Sequence, residues 1–289
     1  MIELKDVSKT FRRTRVLDGL SLRIDAGDRI ALIGSNGAGK TTMIRCILGE
    51  YVYDGEVLVD GVSPRSARTS VLQKIAFVPQ MPPPLRMPVG ELVDFASRLC
   101  HTTEERIGGI AERMGLDIGE VRKRPFMKLS GGQKQKLLIA IAMGRDADVL
   151  IMDEPTANLD PGARQILFDL LAERLEKSMI ISSHRLEEVA MLVNRVIEMD
   201  RGKVVLDDRV EDAIDPGLRQ EVRIVLRKPE AAFARAVGEW GFESEDGGVT
   251  WTGVVAGPDR LRFLGMLARY VGVVADLSMH DLSREKADA

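Results

Sequence analysis

The sequence contains no apolar run that approaches the length needed to cross a bilayer. Its longest uninterrupted apolar run, residues 137–144, is far shorter than the ~20 residues of a membrane-spanning helix. We therefore expect that this chain does not itself form a membrane pore. An alternating strand pattern begins at once, over residues 2–7, and predicts that no signal peptide precedes the fold.

Cysteine is also scarce, and there is no excess of positive charge. The two cysteines, Cys46 and Cys100, lack the spacing of a metal site, and such sparse use suits a reducing compartment. The formal net charge of −3 gives no electrostatic reason to expect a nucleic-acid partner. A chain of 289 residues with 45% hydrophobic residues can form one large domain and a smaller one.

Residues 34–41 have the spacing of a phosphate-binding loop: glycine, any four residues, then glycine, lysine and threonine. An apolar strand pattern precedes them and a helical pattern follows. Glycines let backbone N–H groups approach an anion, and the helix N-terminus adds its positive end. The alternative, a glycine-rich turn with a surface lysine, does not account for this context. The residues predicted to bind a nucleoside triphosphate are Gly34, Ser35, Asn36, Gly37, Ala38, Gly39, Lys40, Thr41 and Thr42.

Residues 129–133 read Leu-Ser-Gly-Gly-Gln and open a predicted helix. Ser130 is a good N-cap, and the glycines after it leave backbone N–H groups uncovered for a second anion. Ser-Gly-Gly alone is a common turn, so the motif is ambiguous without its context. Residues 149–154 supply that context, because they form an apolar strand that ends in Asp153 and Glu154.

Gln80 and His184 each follow a further predicted apolar strand. In this order the motifs resemble the nucleotide-binding domain of ATP-binding cassette (ABC) proteins, over residues 1 to about 215. The resemblance implies an α/β fold: a P-loop NTPase core of the ABC type, with an antiparallel β-subdomain and a helical subdomain at about 81–147.

The resemblance implies a nucleotide contact or a catalytic role for several residues. Phe11 falls where the family places an aromatic ring that stacks on adenine, although core packing against Val16 is the alternative. Lys40 would reach the β and γ phosphates of ATP. Glu154 would polarise the attacking water, which it can do only within hydrogen-bond reach. His184 would contact the γ-phosphate, although a single histidine after a strand is more often structural.

The same resemblance implies Mg²⁺ as the cofactor that accompanies ATP. The metal would be held by the Thr41 hydroxyl, by Gln80 and, through water, by Asp153. Gln80 would also sense the γ-phosphate and face the transport partner. The predicted catalytic residues are therefore Glu154, His184, Lys40 and Gln80.

In the ABC family, one ATP lies between the phosphate loop of one domain and the Leu-Ser-Gly-Gly-Gln stretch of another. The resemblance therefore implies a second ATPase subunit, and a homodimer is the default because two-fold symmetry is the commonest closed arrangement. Asn158 and Asp160 would lie along the seam between the subunits and couple the two sites. Lys136, which follows the Leu-Ser-Gly-Gly-Gln stretch, stands where the family usually has arginine. The residues predicted to complete the other subunit's site are Ser130, Gly131, Gly132, Gln133 and Asp160.

Residues 217–289 are predicted to form a small, separate α+β domain. Strand and helix patterns follow one another in the order β-α-β-β-α-β of a ferredoxin-like module. This tail resembles the C-terminal extension of ABC ATPases that are paired with ABC-2-type exporter permeases, including drug-resistance and copper-enzyme maturation systems. The resemblance implies a role in dimer contact or partner docking. We expect His280 to be a surface or packing residue rather than a metal ligand.

Together these features predict the ATPase subunit of an ABC transporter. It would be a peripheral protein on the cytoplasmic face of the cell inner membrane, bound to a separate integral membrane permease, and the tail favours export. The proline-rich residues 81–89 are either the surface that meets the permease or a rigid connector. One alternative is a soluble ABC ATPase acting on nucleic acid or ribosomes, which usually needs coiled coils, zinc cysteines or two fused cassettes. Another is a non-enzymatic regulator, against which Glu154 argues.

Overall fold

The computed structural model describes residues 1–183, 186–209, 219–238, 240–256, 263, 266, 267, 270 and 272–282. The chain divides into two compact units, Met1–Val210 and Glu211–Ala289. The predicted domain boundary at 215–217 lies outside the described residues and stays a prediction. Within the part of the chain that is described, no helix has both the length and the apolar character needed to cross a membrane.

The first unit is built on a mostly parallel sheet. The described strands of this unit are β1 (Ile2–Phe11), β2 (Thr14–Ile24), β3 (Arg29–Ile33), β4 (Asp54–Val59), β5 (Ile75–Val78), β6 (Val149–Asp153), β7 (Ser178–Ser182), β8 (Arg195–Asp200) and β9 (Lys203–Arg209). One sheet has the order β5-β6-β7-β3-β8-β9 and is parallel except for the antiparallel β8–β9 pair. Because the carboxyl ends of its parallel strands share one edge, the residues that follow β3, β5, β6 and β7 meet there.

A second sheet has the order β2-β1-β4 and is antiparallel. The described helices of the first unit are α1 (Lys40–Ile47), α2 (Arg68–Lys74), α3 (Val89–Leu99), α4 (Glu104–Arg113), α5 (Ile118–Val121), α6 (Gly131–Gly144), α7 (Pro161–Ala172) and α8 (Leu186–Val189). The apolar face of α1, with Met43 and Ile44, shares one core with Ile2 of the antiparallel sheet and Ile30 of the parallel sheet. This packing fixes α1 beside the edge where the parallel strands end.

Helices α3 to α6 form a layer that is inserted between β5 and β6. All four helices lie within residues 81–147, and their apolar residues pack in one core with Phe126 and Leu137. The chain enters and leaves α3–α5 along a common path, because the amide of Phe126 donates to Met87 (2.9 Å) and that of Val89 donates to Arg124 (2.9 Å). The proline-rich segment is therefore tied by backbone hydrogen bonds to the chain that leads into α6.

The second unit contains an antiparallel four-stranded sheet. Its described elements are β10 (Arg219–Leu226), α9 (Ala231–Gly238), β11 (Glu243–Ser244), β12 (Thr250–Ala256) and β13 (Val274–Leu282). The sheet order is β11-β12-β10-β13, and its core includes Val222, Ile224, Phe233 and Phe263. This strand order is that of a ferredoxin-like sheet, but most of the predicted helix at 258–270 lies outside the described residues. The ferredoxin-like assignment therefore stays a prediction.

Candidate functional site

The loop predicted to bind phosphate lies between β3 and α1. Gly34 has a φ angle of +144°, and a Cβ atom there would lie 2.3 Å from the carbonyl oxygen of Met199. Only glycine fits this position, so the chain can turn sharply from a buried strand into a helix. Backbone N–H groups at the start of α1 and in the loop before it provide a favourable place for an anion.

The loop borders a cavity of about 170 Å³. Two predicted residues from other strands, Gln80 after β5 and Glu154 after β6, also line it. The structure therefore brings together side chains that are far apart in the sequence. Among the described residues, the lining consists of Val16, Ser35, Asn36, Gly37, Ala38, Gly39, Lys40, Thr41, Thr42, Gln80 and Glu154.

Lys40 lies across its own loop. Its side chain is almost completely buried, and its amine donates to the carbonyl oxygens of Gly34 (2.6 Å) and Ser35 (3.3 Å). Burial lowers the pKa of Lys40, while the charges of Glu154 and Asp153 oppose this shift. The phosphate-binding loop thus holds the positively charged amine of Lys40 close to its own backbone.

The tight turn between β8 and β9 supports the loop from the side. The amide of Gly202 donates to the carbonyl oxygen of Ala38 (2.9 Å), and its carbonyl oxygen accepts from the amide of Asp18 (3.2 Å). A Cβ atom at residue 202 would lie 2.3 Å from the carbonyl oxygen of Val16. The turn therefore touches the phosphate-binding loop and the N-terminal hairpin at the same time.

Asp153 is the last residue of β6 and Glu154 follows it, and the hydroxyl of Ser182 is hydrogen-bonded to both residues. Asp153 is 1% exposed and accepts a hydrogen bond from this hydroxyl (2.7 Å), while the amide of Glu154 donates to it (2.8 Å). Ser182 was not predicted from the sequence. No local sequence signal points to it, because its contacts depend on the register of β6 and β7, which places Asp153 and Ser182 opposite one another.

The side chain of Gln80 reaches Glu154 across the strand ends. Its amide nitrogen donates to a carboxylate oxygen of Glu154 at 3.0 Å. Of the Gln80 amide, only the carbonyl oxygen can act as a metal ligand, because the nitrogen is a donor. Gln80 thus follows β5 and comes directly before the proline-rich segment, while its roles toward Mg²⁺ and the transport partner stay predictions.

The aromatic side chain of Phe11 packs against Tyr51. The two rings meet edge-on with centroids 5.1 Å apart, and the amine of Lys9 lies 4.7 Å from the Phe11 ring centroid. Phe11 is 39% exposed and does not line the loop cavity, whereas Val16 does. Its predicted role in stacking on adenine stays a prediction, and Tyr51 is a neighbour that sequence reasoning missed.

The Leu-Ser-Gly-Gly-Gln motif starts α6 as predicted. The Ser130 hydroxyl accepts from the amide of Gln133 (3.1 Å), and the Gln133 side chain accepts from the amide of Ser130 (3.1 Å). This reciprocal capping fixes the start of the helix, where Gly131 and Gly132 follow. Among the described residues that line the loop cavity of the same chain, none comes from this motif. Its predicted contact with the ATP of a second subunit stays a prediction.

Asp160 caps α7 and pairs with Lys136 on α6. Its carboxylate accepts from the amide of Ala163 (2.9 Å) and lies 3.3 Å from the Lys136 amine. The hydrogen bond from the Ala163 amide, followed by that from Lys136, lowers the pKa of Asp160. Lysine in place of the family's usual arginine therefore still forms an ion pair, which joins α6 to the chain after Glu154.

The predicted switch residue His184 lies outside the described residues, so its role stays a prediction. His280 is exposed on β13, as expected for a surface residue. In the described ranges, no group of three or more His, Cys, Asp or Glu side chains could hold a metal ion.

Comparison with known proteins identifies similar chains of defined function. The family described as ABC transporter matches residues 17–157. The Nod factor export ATP-binding protein I of Rhizobium etli is 31% identical, over 90% of this chain and 84% of that protein. The methionine import ATP-binding protein MetN of Bartonella henselae is 30% identical, over 73% of this chain and 66% of that protein. Among solved structures, a similar one is the ATP-binding cassette MJ0796, a dimer bound to ADP and Pi in a post-hydrolysis state. It is 23% identical to this chain and has a TM-score of 0.64, over 73% of this chain and 99% of that chain.

The fold and the loop cavity define a P-loop ATPase. More particularly, the chain belongs to the ABC transporter family, as an ATP-binding subunit. The predicted ABC-type α/β core, with its antiparallel β-subdomain and helical subdomain, is confirmed.

Proposed function

We propose that the protein hydrolyses ATP with Mg²⁺ at a site completed by a second cassette, and that hydrolysis drives a separate membrane permease. The cavity formed by the phosphate-binding loop, Gln80 and Glu154 carries this proposal. It combines an anion cradle, a buried cation and a carboxylate, which are the groups that phosphoryl transfer to water requires.

The residues at the strand ends fit Mg²⁺. Magnesium prefers oxygen ligands and is usually held by one or two carboxylates together with substrate phosphates, rather than by an all-protein cage. Asp153, Thr41 and the carbonyl oxygen of Gln80 supply oxygen ligands without forming such a cage. When bound, Mg²⁺ would neutralise charge that develops on the phosphates.

The side chains of the cavity act by positioning and electrostatics. Lys40 compensates phosphate charge, and Glu154 orients the attacking water and accepts its hydrogen bond. Gln80 holds the Glu154 carboxylate through its amide nitrogen. His184 contacts the γ-phosphate in this proposal, which rests on the motif alone.

A second cassette supplies the Leu-Ser-Gly-Gly-Gln motif to each ATP. Two observations support this arrangement. The motif does not line the cavity of its own chain, and the similar cassette MJ0796 forms a dimer in its solved structure. The start of α6 is rigidly capped, so Ser130 and the glycines after it present fixed groups to a partner. A homodimer is the simplest form of this assembly.

We propose export as the direction, on the basis of one export relative whose alignment reaches beyond the first unit. The first unit, Met1–Val210, makes up about 73% of the chain. The alignment with the Rhizobium etli export protein covers 90%, so it must extend into the second unit. We therefore propose an ABC-2-type exporter ATPase, with residues 217–289 as its accessory domain. The proposed location is peripheral, on the cytoplasmic face of the inner membrane.

Purification of the tagged chain from its host in mild detergent tests the transporter proposal. Mass spectrometry should identify a multi-span membrane protein that is retained with the chain. The Lys40→Ala variant should retain the same partner, because its fold is kept and only nucleotide binding is impaired. Retention of soluble factors, RNA or DNA alone would instead favour an ATPase that acts on nucleic acid or ribosomes, which the relatives reported above do not support.

A further inference from the structure

Ser182 connects the two carboxylate residues of the site through one oxygen atom. Its hydroxyl donates to Asp153 (2.7 Å) and accepts from the backbone amide of Glu154 (2.8 Å). A hydroxyl has a single hydrogen to donate. In this structure the hydroxyl donates that hydrogen to the carboxylate of Asp153, and the same oxygen accepts a hydrogen bond from the backbone amide of Glu154.

The position of this hydroxyl is fixed by the sheet. Ser182 is the last residue of β7 and lies opposite Asp153 in the parallel register of β6 and β7. Both residues are buried, at 0% and 1% exposure. A hydrogen bond to an ionised carboxylate is strong in such surroundings, because water does not compete for either partner. Ser182 therefore limits the rotation of the Asp153 carboxylate.

Glu154 needs an anchor because its backbone is strained. Its φ angle is +49°, in the left-handed region that residues with a side chain adopt infrequently. Such a conformation persists only where surrounding contacts hold it. Ser182 holds the Glu154 amide, and Gln80 holds its carboxylate at 3.0 Å.

We propose that Ser182 is a positioning residue for ATP hydrolysis, which orients Asp153 toward Mg²⁺ and Glu154 toward the attacking water. It acts through these two residues and does not itself touch the nucleotide. This inference rests on the proposed function, because it assumes that Asp153 and Glu154 serve Mg²⁺ and water. It adds a residue at the end of the strand that precedes His184, where the sequence motifs assign no role to Ser182.

The same strand offers a matched control for an ordinary structural hydrogen bond. Ser178, at the other end of β7, is also buried, and its hydroxyl accepts from the amide of Gly27 at 2.8 Å. Ser178→Ala therefore removes a serine hydroxyl with a similar backbone contact, away from the cavity. Any general loss of stability should appear in both alanine variants, whereas a positioning effect should appear only in Ser182→Ala.

The first measurement is equilibrium binding of a fluorescent ATP analogue, in EDTA and over a series of Mg²⁺ concentrations. In EDTA, Ser182→Ala should bind the analogue within about twofold of wild type. Loss of a group that orients a metal ligand typically costs about 10- to 100-fold in metal affinity or activity. We expect the half-saturating Mg²⁺ concentration to rise by at least about tenfold. Ser178→Ala should match wild type, and Ser182→Thr, which keeps a hydroxyl, should restore most of the Mg²⁺ affinity.

The second measurement is the rate of hydrolysis at saturating Mg²⁺ and ATP. Here kcat of Ser182→Ala should remain about tenfold below wild type, because the Glu154 backbone has lost its anchor. If Ser182→Ala does not fold, Ser182→Cys replaces it, since it keeps the size and weakens the donor. Equal Mg²⁺ dependence in the Ser182 and Ser178 variants would overturn the proposal. If neither ATP binding nor ATP hydrolysis by the wild-type protein depended on Mg²⁺, the proposed function itself would be overturned.

Discussion

The amide nitrogen of Gln80 lies 3.0 Å from a carboxylate oxygen of Glu154, although 74 residues separate the two along the chain. The contact forms because β5 and β6 are parallel neighbours whose carboxyl ends meet at one edge. Gln80 is followed immediately by the proline-rich segment that leads into α3. The proposed catalytic carboxylate is therefore hydrogen-bonded to a residue of the connection between β5 and the helical layer.

Removal of the Gln80 amide should slow hydrolysis without preventing ATP binding. In Gln80→Ala, the Glu154 carboxylate loses a donor that fixes its direction, and small misplacements of a catalytic group are costly. We expect kcat to fall about tenfold or more, with ATP binding within about threefold of wild type. Gln73→Ala, an exposed glutamine close in sequence, serves as the control and should leave both quantities unchanged. A wild-type kcat in Gln80→Ala would show that this hydrogen bond has no catalytic effect.

Glu154→Gln should separate ATP binding from hydrolysis. The glutamine keeps an oxygen that can accept the Gln80 hydrogen bond but is a far weaker base. Loss of a general base typically costs about 10²- to 10⁴-fold in rate. We expect normal ATP binding, a residual rate within that range, and an ATP-bound dimer that survives size-exclusion chromatography. Unchanged turnover would refute the assignment of Glu154.

Lys40→Ala should show the opposite pattern. The variant removes the cation that lies across the phosphate-binding loop, so ATP binding itself should weaken. Direct titration with a fluorescent ATP analogue measures this loss, and circular dichroism checks that the fold is kept. Wild-type affinity in a folded Lys40→Ala protein would contradict the assignment of the loop.

Stability should depend strongly on the buried ion pair of Arg195 and Asp28. The two side chains are each 6% exposed, and their charged atoms lie 2.6 Å apart. Arg195→Met leaves a buried carboxylate poorly compensated, which typically costs about 3–5 kcal/mol of unfolding free energy. Arg209→Met removes the exposed second partner of Asp28, at 3.4 Å, and should cost less than about 1 kcal/mol. Urea unfolding measures both values, and equal losses would contradict the role of burial.

Stability should also fall in acid, in part through Asp207. Hydrogen bonds from Arg195, at 2.7 Å, lower the pKa of Asp207. A lowered pKa in the folded state contributes stability above the unfolded value of about 3.9, and this stability is lost as pH falls through the folded pKa. Asp207→Asn should therefore be less stable than wild type at pH 6, and the difference should shrink toward pH 3. A difference that is constant with pH in urea unfolding would show that the charge of Asp207 does not contribute.

The two cysteines should differ in reactivity. Burial raises the pKa of the Cys46 thiol to about 11, so little thiolate forms near neutral pH, whereas Cys100 is partly exposed. Ellman's reagent at pH 8 should modify one thiol rapidly in the native protein and both in denaturant. In Cys100→Ser, the rapid reaction should disappear. Two rapidly reacting thiols in the native protein would contradict the burial of Cys46.

The phosphate-binding loop could be predicted from the sequence because its functional groups are neighbours in the chain. Spacing alone places Lys40 and Thr41 at a helix start, and the structure has α1 begin at Lys40. The carboxylates at the end of β6 were recognisable for the same reason. Helices α3 and α4 carry apolar residues three and four apart, a pattern in the sequence that predicts helix.

Contacts between separate segments could not be predicted in this way. The bridge from Ser182 to Asp153 and Glu154 depends on the register of two parallel strands, which a single sequence does not encode locally. The packing of Phe11 against Tyr51 likewise depends on how the N-terminal hairpin meets the chain after α1. The composition of a site is thus easier to read from a sequence than the contacts that orient it.

The turn at Gly202 has a consequence for how this chain can vary. Its amide and carbonyl groups bind two different loops, and the space for a Cβ atom is already filled by Val16. The adjacent Arg201 has a φ angle of +46°, in the left-handed region that favours glycine, asparagine and aspartate, although its side chain is exposed. In a library randomised at both positions, selection for function would restrict residue 201 to the few residue types that tolerate a left-handed backbone and would leave residue 202 glycine. A turn distant from the motifs in sequence would then be as invariant as the motifs themselves.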